Sequence, residues 1–280
     1  MPSDYTHLCF GRKAIAHLPK QFADAVAAHP TLFEIGLQGP DILFFYQPLH
    51  SCPVNKTGYV MHDASAKEFF LPTRDILKTS PDKAAALSYL AGFLCHYVLD
   101  LSCHGYVEKK LSVSALTHAG IEKEFDRYLM EQDGGSTKLI CSPKDASVIS
   151  AFFPDISARQ VQQAVRSMNL FTNLLSGKGL RRPLVTAVLK LSGQYDKLYD
   201  MLLPKKSPTG SEDSNLRLQK LMDKALILYE KLAKEYLAFL EGAAYPAGMS
   251  ETFGPTPDWE EIPVLSFEEE QAYEPKLYIP

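Results

Sequence analysis

His96, Asp100 and His104 recur every four residues, and His118 and Glu122 repeat the same step shortly afterwards. On a helix a step of four returns to nearly the same face, so the first three side chains line one stripe within about 80°, each about 6 Å above the last. One tetrahedral zinc ion can accept His96 and Asp100 from adjacent turns. His104 stands roughly 12 Å along the axis from His96, too far for the same ion. The spacing therefore predicts two neighbouring sites, with Asp100 able to bridge two ions through its two oxygens. His104 joined to His118 and Glu122 makes a two-histidine, one-carboxylate set whose fourth position stays open for water. Any one of these residues alone reads as an ordinary buried histidine or a solvated helix face. Two repeated patterns so close together do not. Cys95 and Cys103, one residue out of step, are turned about 100° from the stripe.

The elements that must position these residues are helical. Apolar residues recur at helical spacing through most of the 280 residues, and alternating runs are short and scarce. The fold class predicted is all-α, a multi-helix bundle, with helices over 11–28, 62–79, 82–109, 116–131, 157–176, 182–202 and 213–242. Leu32 to Met61, with its Gly and Pro residues, reads as a long irregular segment, and loops of that length tend to be functional. Further breaks are expected at Gln132–Ser136 and at Lys205–Ser214. One helical domain over 1–248, with its metal site within 1–130, would then be followed by an acidic, Pro-rich segment over 249–280. That segment keeps Phe253, Trp259, Val264, Leu265, Phe267 and Tyr273, too many apolar residues for a disordered tail, so it is expected to pack extended on the body.

Composition weighs against other classes. A net charge of -4, from 29 basic and 33 acidic residues, lacks the basic footprint of a nucleic-acid-binding protein. No continuous apolar run reads as a transmembrane segment, and the start Met1-Pro2-Ser3-Asp4-Tyr5-Thr6-His7 does not read as a secretory signal, so a cytoplasmic location is expected. Five cysteines without CxxC spacing fit reduced core thiols.

Upstream, Gly39-Pro40-Asp41 places a carboxylate directly after a turn and before an apolar run. Taken in order, Tyr5-Thr6-His7, Gly39-Pro40-Asp41, a solitary His62, His96-xxx-Asp100-xxx-His104 and His118-xxx-Glu122 resemble the bacterial zinc-dependent phospholipase C family over roughly the first 130 residues. The resemblance implies a helical body holding two or three zinc ions. Asp41, His62, His96 and Asp100 would bind the first ion, and His104, His118 and Glu122 the second. Asp100 would bridge to a third that His7 helps to hold. His50 competes with His62, which is preferred because it begins an amphipathic helix (His62, Ala66, Phe69, Phe70). His17 and His29 have no partner at ligand spacing. Secreted relatives complete the third site with a processed N-terminal tryptophan, whereas the only tryptophan here is Trp259. They also carry an aromatic residue after the carboxylate matching Asp41, as part of a choline pocket, where this chain has Ile42.

The function expected is zinc-dependent hydrolysis of a phosphate ester, with phospholipid as a candidate substrate through the apolar run Ile42–Tyr46. Asp41 is the candidate catalytic residue, orienting or deprotonating water. Two other readings share the metal ligands: a zinc-dependent nuclease or nucleotidase, and a non-catalytic zinc-binding interaction protein. The latter is disfavoured because structural zinc sites are usually cysteine-rich.

Overall fold

The computed structural model describes residues 4–135, 138–175, 202–204, 206–207 and 210–278, with Pro183, Thr186, Ala187 and Lys190 between them. Among the described residues the bounded helices are, in chain order, α1 (Asp4–Ala14), α2 (Lys20–Ala28), α3 (Pro30–Gly36), α4 (Pro53–Asp63), α5 (Lys67–Phe70), α6 (Thr73–Thr79), α7 (Lys83–Val113), α8 (His118–Asp133), α9 (Pro143–Ser150), α10 (Ala158–Leu175), α11 (Glu212–Leu240) and α12 (Phe267–Ala272). Short 3-10 turns punctuate them, the longest over Gly39–Phe45. Among the described residues the only strand-like feature is an isolated bridge between Ser65 and Thr252, so the fold is all-α.

Helix α7 is the axis. Asp82 caps it by accepting the Ala85 N–H at 3.0 Å, and its side chains are buried on every face from Ala85 to Val107. A helix that is apolar all round must be enclosed or lie in a membrane. By length and composition α7 passes the test for a membrane span, but 94% of its most apolar window is buried by the rest of the protein, which identifies it as a core helix. Helices α1, α2, α3, α8 and α11 pack around it. Tyr229 of α11 donates to the Ala91 carbonyl at 3.1 Å, and Ser88 donates to the His29 carbonyl at 2.7 Å. The α3 crossing is close enough for backbones to touch: a Cβ on Gly92 would lie 2.2 Å from the Phe33 carbonyl oxygen, and one on Gly36 would lie 2.4 Å from that of Tyr89.

The structure corrects several boundaries. The helix expected over 11–28 is two helices, since the chain is already helical at Asp4 and breaks at Pro19. The segment Leu32–Met61 is not irregular: it contains the end of α3, the Gly39–Phe45 turn and most of α4. Its prolines misled because Pro40 and Pro53 stand at the first positions of the Gly39–Phe45 turn and of α4, where the missing N–H costs nothing, and so start helical elements instead of breaking them. His62 accordingly lies at the end of α4 and does not begin a helix. The stretch expected as one helix over 62–79 is split into the end of α4, α5 and α6. Most of the helix expected over 182–202 lies outside the described residues.

Gly92→Leu is expected to prevent the α3 crossing and to lower stability by about 1–3 kcal/mol or more, the usual cost of overpacking. Urea unfolding would register this as an earlier midpoint, and an unchanged midpoint would contradict so close a crossing.

Candidate metal centre

Four elements bring their side chains to the middle of α7. Thr6 of α1 donates both its N–H and its hydroxyl to Asp126 of α8, at 2.9 and 2.8 Å, and this clamp sets the neighbouring His7 against α7. The Gly39–Phe45 turn presents Asp41, and α4 returns His62 beside it. Gly39 has φ of 51°, and a Cβ there would lie 2.2 Å from the His96 ring, so only glycine fits both the backbone and the space. Helix α8 opens at His118, with Thr117 as its cap, and offers Glu122 one turn later.

Asp100 is the hub. Its Oδ1 lies 3.3 Å from His7 Nε2 and 3.7 Å from His104 Nε2, and its Oδ2 lies 3.1 Å from His96 Nε2 and 3.9 Å from His62 Nε2. Asp41 Oδ1 is 2.9 Å from His62 Nε2. Beyond His104, Glu122 Oε1 lies 3.4 Å from His104 Nε2 and 3.0 Å from His118 Nε2. All eight sequence-predicted residues thus converge. Their ligand atoms form three groups within 4.8 Å of one another: His7, His96 and Asp100; Asp41, His62 and His96; His104, His118 and Glu122. The other histidines stand apart. His50 joins none of these groups, while His17 meets Glu230 at 3.1 Å and His29 meets Asp82 at 3.6 Å.

The atoms at the centre fit a metal better than they fit each other. His96 Nε2 and Asp41 Oδ1 are buried without a hydrogen bond, although each has a side-chain neighbour about 3 Å away. Buried polar atoms are seldom left so. Imidazole nitrogens and carboxylate oxygens are also zinc's ordinary ligands. Three histidines have their outer nitrogen against a backbone carbonyl: His62 Nδ1 at 2.8 Å from Gly58 O, His96 Nδ1 at 3.2 Å from Leu37 O, and His104 Nδ1 at 2.6 Å from Phe253 O. A carbonyl only accepts, so Nδ1 carries the proton and Nε2, in the neutral ring, turns a lone pair inward.

Burial disfavours charge on the inner members of the cluster, Asp41, His96, Asp100 and His104 among them. Asp100 is nonetheless held well below the usual carboxylate range, because His104 and His96 outweigh desolvation. For His104, desolvation pulls the pKa down, but Asp100 and Glu122 push it up to about 9. His96 moves the other way: desolvation lowers it, and His7, stacked on it at 4.2 Å, adds repulsion between the two rings. Without a cation the ionised carboxylates are balanced by protons held on the histidines.

Two contributors were not predicted from sequence. Gly39 was legible only as part of a turn. Phe253 had no signal beyond being apolar in a Pro-rich segment, yet its carbonyl meets His104 and its ring lies 5.7 Å from that of His62 and 6.0 Å from that of His96.

The family model described as zinc dependent phospholipase C matches residues 6–170, more than half of the 280-residue chain. No curated protein and no solved structure matches it. The match takes in every residue of the cluster and ends well before Phe253.

Zinc and protons compete for the same nitrogens. The raised His104 value stabilises the metal-free fold below about pH 6.5, and that contribution is lost as pH rises through about 9. Zinc uptake by chelator-treated protein near neutral pH should therefore release protons, and the apparent affinity should climb with pH. Calorimetry in buffers of different ionisation enthalpy measures the release, and uptake with no proton release would contradict this account.

Proposed function

The chain belongs to the zinc-dependent phospholipase C family, and from that premise we propose that it hydrolyses a phosphodiester of the phospholipid type at the cluster around Asp100. The observation that carries the proposal is the gathering of eight metal-ligating side chains into one cluster built on the buried Asp100, with Asp41 Oδ1 and His96 Nε2 left buried without a hydrogen bond. Asp41, His62, His96 and Asp100 would hold one zinc ion, His104, His118 and Glu122 a second, and Asp100 with His7 a third. Zinc at such a cluster supplies positive charge against phosphate oxygens and lowers the pKa of bound water towards roughly 7.

The chain's own residues then have distinct tasks. Asp41, kept ionised against its burial by His62 and His96, orients the attacking water and takes its proton. As the water oxygen bonds to phosphorus, the phosphorus–oxygen bond to the glycerol breaks, and the leaving alkoxide collects a proton from solvent. His62, anchored by its Nδ1 to Gly58, holds its other nitrogen beside Asp41. Burial of the inner ligands keeps competing water from screening these charges.

An apolar groove of about 270 Å³ beside His62 supports the choice of a lipid substrate. Val60, Met61, Phe69, Phe152, Ile156 and Phe253 line it, so the Phe253 ring forms a wall common to the groove and the cluster. An acyl chain seated there would leave water for apolar surface, worth roughly 0.8 kcal/mol per buried CH₂.

Two outcomes are expected. Asp41→Asn, near-isosteric but without a basic carboxylate, should cut turnover by at least about 100-fold while most zinc is retained on elemental analysis. Wild-type turnover in that variant would exclude Asp41 as the base. Val60 is an exposed rim residue of the groove. Val60→Glu should lower kcat/KM several-fold on a short-chain phosphatidylcholine and leave hydrolysis of p-nitrophenylphosphorylcholine, which has no acyl chain, unchanged. Equal effects on both substrates would remove the groove from the account.

A further inference from the structure

The cluster is completed by chain that lies far outside the region matched by the family. Beyond α11, residues 249–278 return across α7 as a strap. Near its start the chain is pinned to the end of α4 and α5: Ser65 bridges to Thr252, its hydroxyl donates to the Ser250 carbonyl at 2.5 Å, and the Ala66 N–H donates to the Glu251 carbonyl at 2.9 Å. Three residues past Phe253 it rests on Gly105 of α7, where a Cβ would lie 3.0 Å from Thr256 Oγ1 and 3.1 Å from Ile262 Cδ1. Lys109 then donates to the Glu260 carbonyl at 2.7 Å. The far end is locked by a buried ion pair between Arg217 and Glu270, whose guanidinium sits over the rings of Tyr106 and Tyr273. Phe253 is therefore held from both sides, with its carbonyl 2.6 Å from His104 Nδ1 and its ring among His62, His96 and Tyr97.

The three carbonyls that orient cluster histidines differ in origin. Gly58 belongs to the same helix as His62, and Leu37 stands two residues before the turn that carries Asp41. Phe253 alone comes from a segment 149 residues away. Its neighbour Glu122 lies on the other side of the His104 ring, so both ring nitrogens are committed: Nδ1–H to the strap, Nε2 to the cluster.

We infer that the strap is a working part of the metal centre, in which the Phe253 carbonyl positions His104 and fixes the tautomer that turns Nε2 towards the second ion. This rests on the zinc reading above. The strap is not a lid, because it acts through a ligand and touches no reacting atom; Phe253 is a positioning residue. Losing such an outer partner typically costs 10–100-fold in metal affinity.

The test begins with the unmodified zinc-loaded protein. Long-range ¹H–¹⁵N correlation spectra of its histidines should show His104 protonated at Nδ1 and metal-bound through Nε2. A proton at Nε2 would overturn the inference at once. Gly105→Leu then wedges the strap away from α7 without weakening the helix. Zinc competition with a chelating dye should show one ion bound about 10–100-fold more weakly, with helical circular dichroism retained, and adding Ile262→Ala to make room should restore part of the loss. Wild-type affinity for every ion in Gly105→Leu, together with faster tryptic cleavage within 249–278 that shows the strap to be displaced, would contradict the role. If the strap is not displaced, Arg217→Met releases its other end and must give the same selective weakening, failing which the inference falls. A wild-type protein that binds no zinc would instead sink the zinc reading itself.

Discussion

A carboxylate buried in the centre of a helical protein is expensive unless charge is brought to it. Asp100 sits at that position, and much of the surrounding architecture is arranged to answer it. Four imidazoles approach its two oxygens from three different helices, α1, α4 and α7. None of the four can be removed without leaving a charge or a lone pair facing a neighbour of the wrong kind. In the metal-free state the balance is struck with protons, which is why His7 and His104 are held above the ordinary histidine range while their neighbour His96 falls below it. Divalent cations would answer the same demand without protons, and under the proposed function they would make the cluster a site for hydrolysis instead of an electrostatic compromise.

Placing that carboxylate requires a helix that is enclosed on all sides, and α7 meets the requirement through small residues as much as through apolar ones. Gly92 lets α3 approach until backbones touch, which brings the Gly39–Phe45 turn, and with it Asp41, to the right height. Gly105 does the same for the C-terminal strap one turn beyond Asp100. Between these two approaches lie His96, Asp100 and His104. These three candidate ligands are thus carried on an element whose position is fixed by packing on every side, the arrangement that keeps ligand geometry precise.

The sequence was most readable where chemistry and periodicity coincide. The i, i+4 steps of His96, Asp100 and His104, and of His118 and Glu122, specify their own geometry once the segments are helical, and both segments are so strongly patterned that their helices were legible to within a few residues. His7, Asp41 and His62 were legible only through their order along the chain, since nothing local states that three separate elements meet at α7. The prolines at 40 and 53 pointed away from helix, because the same residue that ends a helix also starts one and composition does not distinguish the two. The part played by Phe253 was invisible for a deeper reason. A backbone carbonyl has no sequence signature, and its contact with His104 depends on a fold-level path that only the three-dimensional structure supplies.

The most direct test of the account is an anomalous difference map, recorded on either side of the zinc absorption edge from crystals of protein purified without chelator. Two or three peaks should appear around Asp100, each about 2.0–2.2 Å from nitrogen or oxygen atoms of His7, Asp41, His62, Asp100, His96, His104, His118 and Glu122. A zinc-loaded crystal with no peak in this cluster, or with zinc only at surface pairs such as His17 with Glu230, would contradict it.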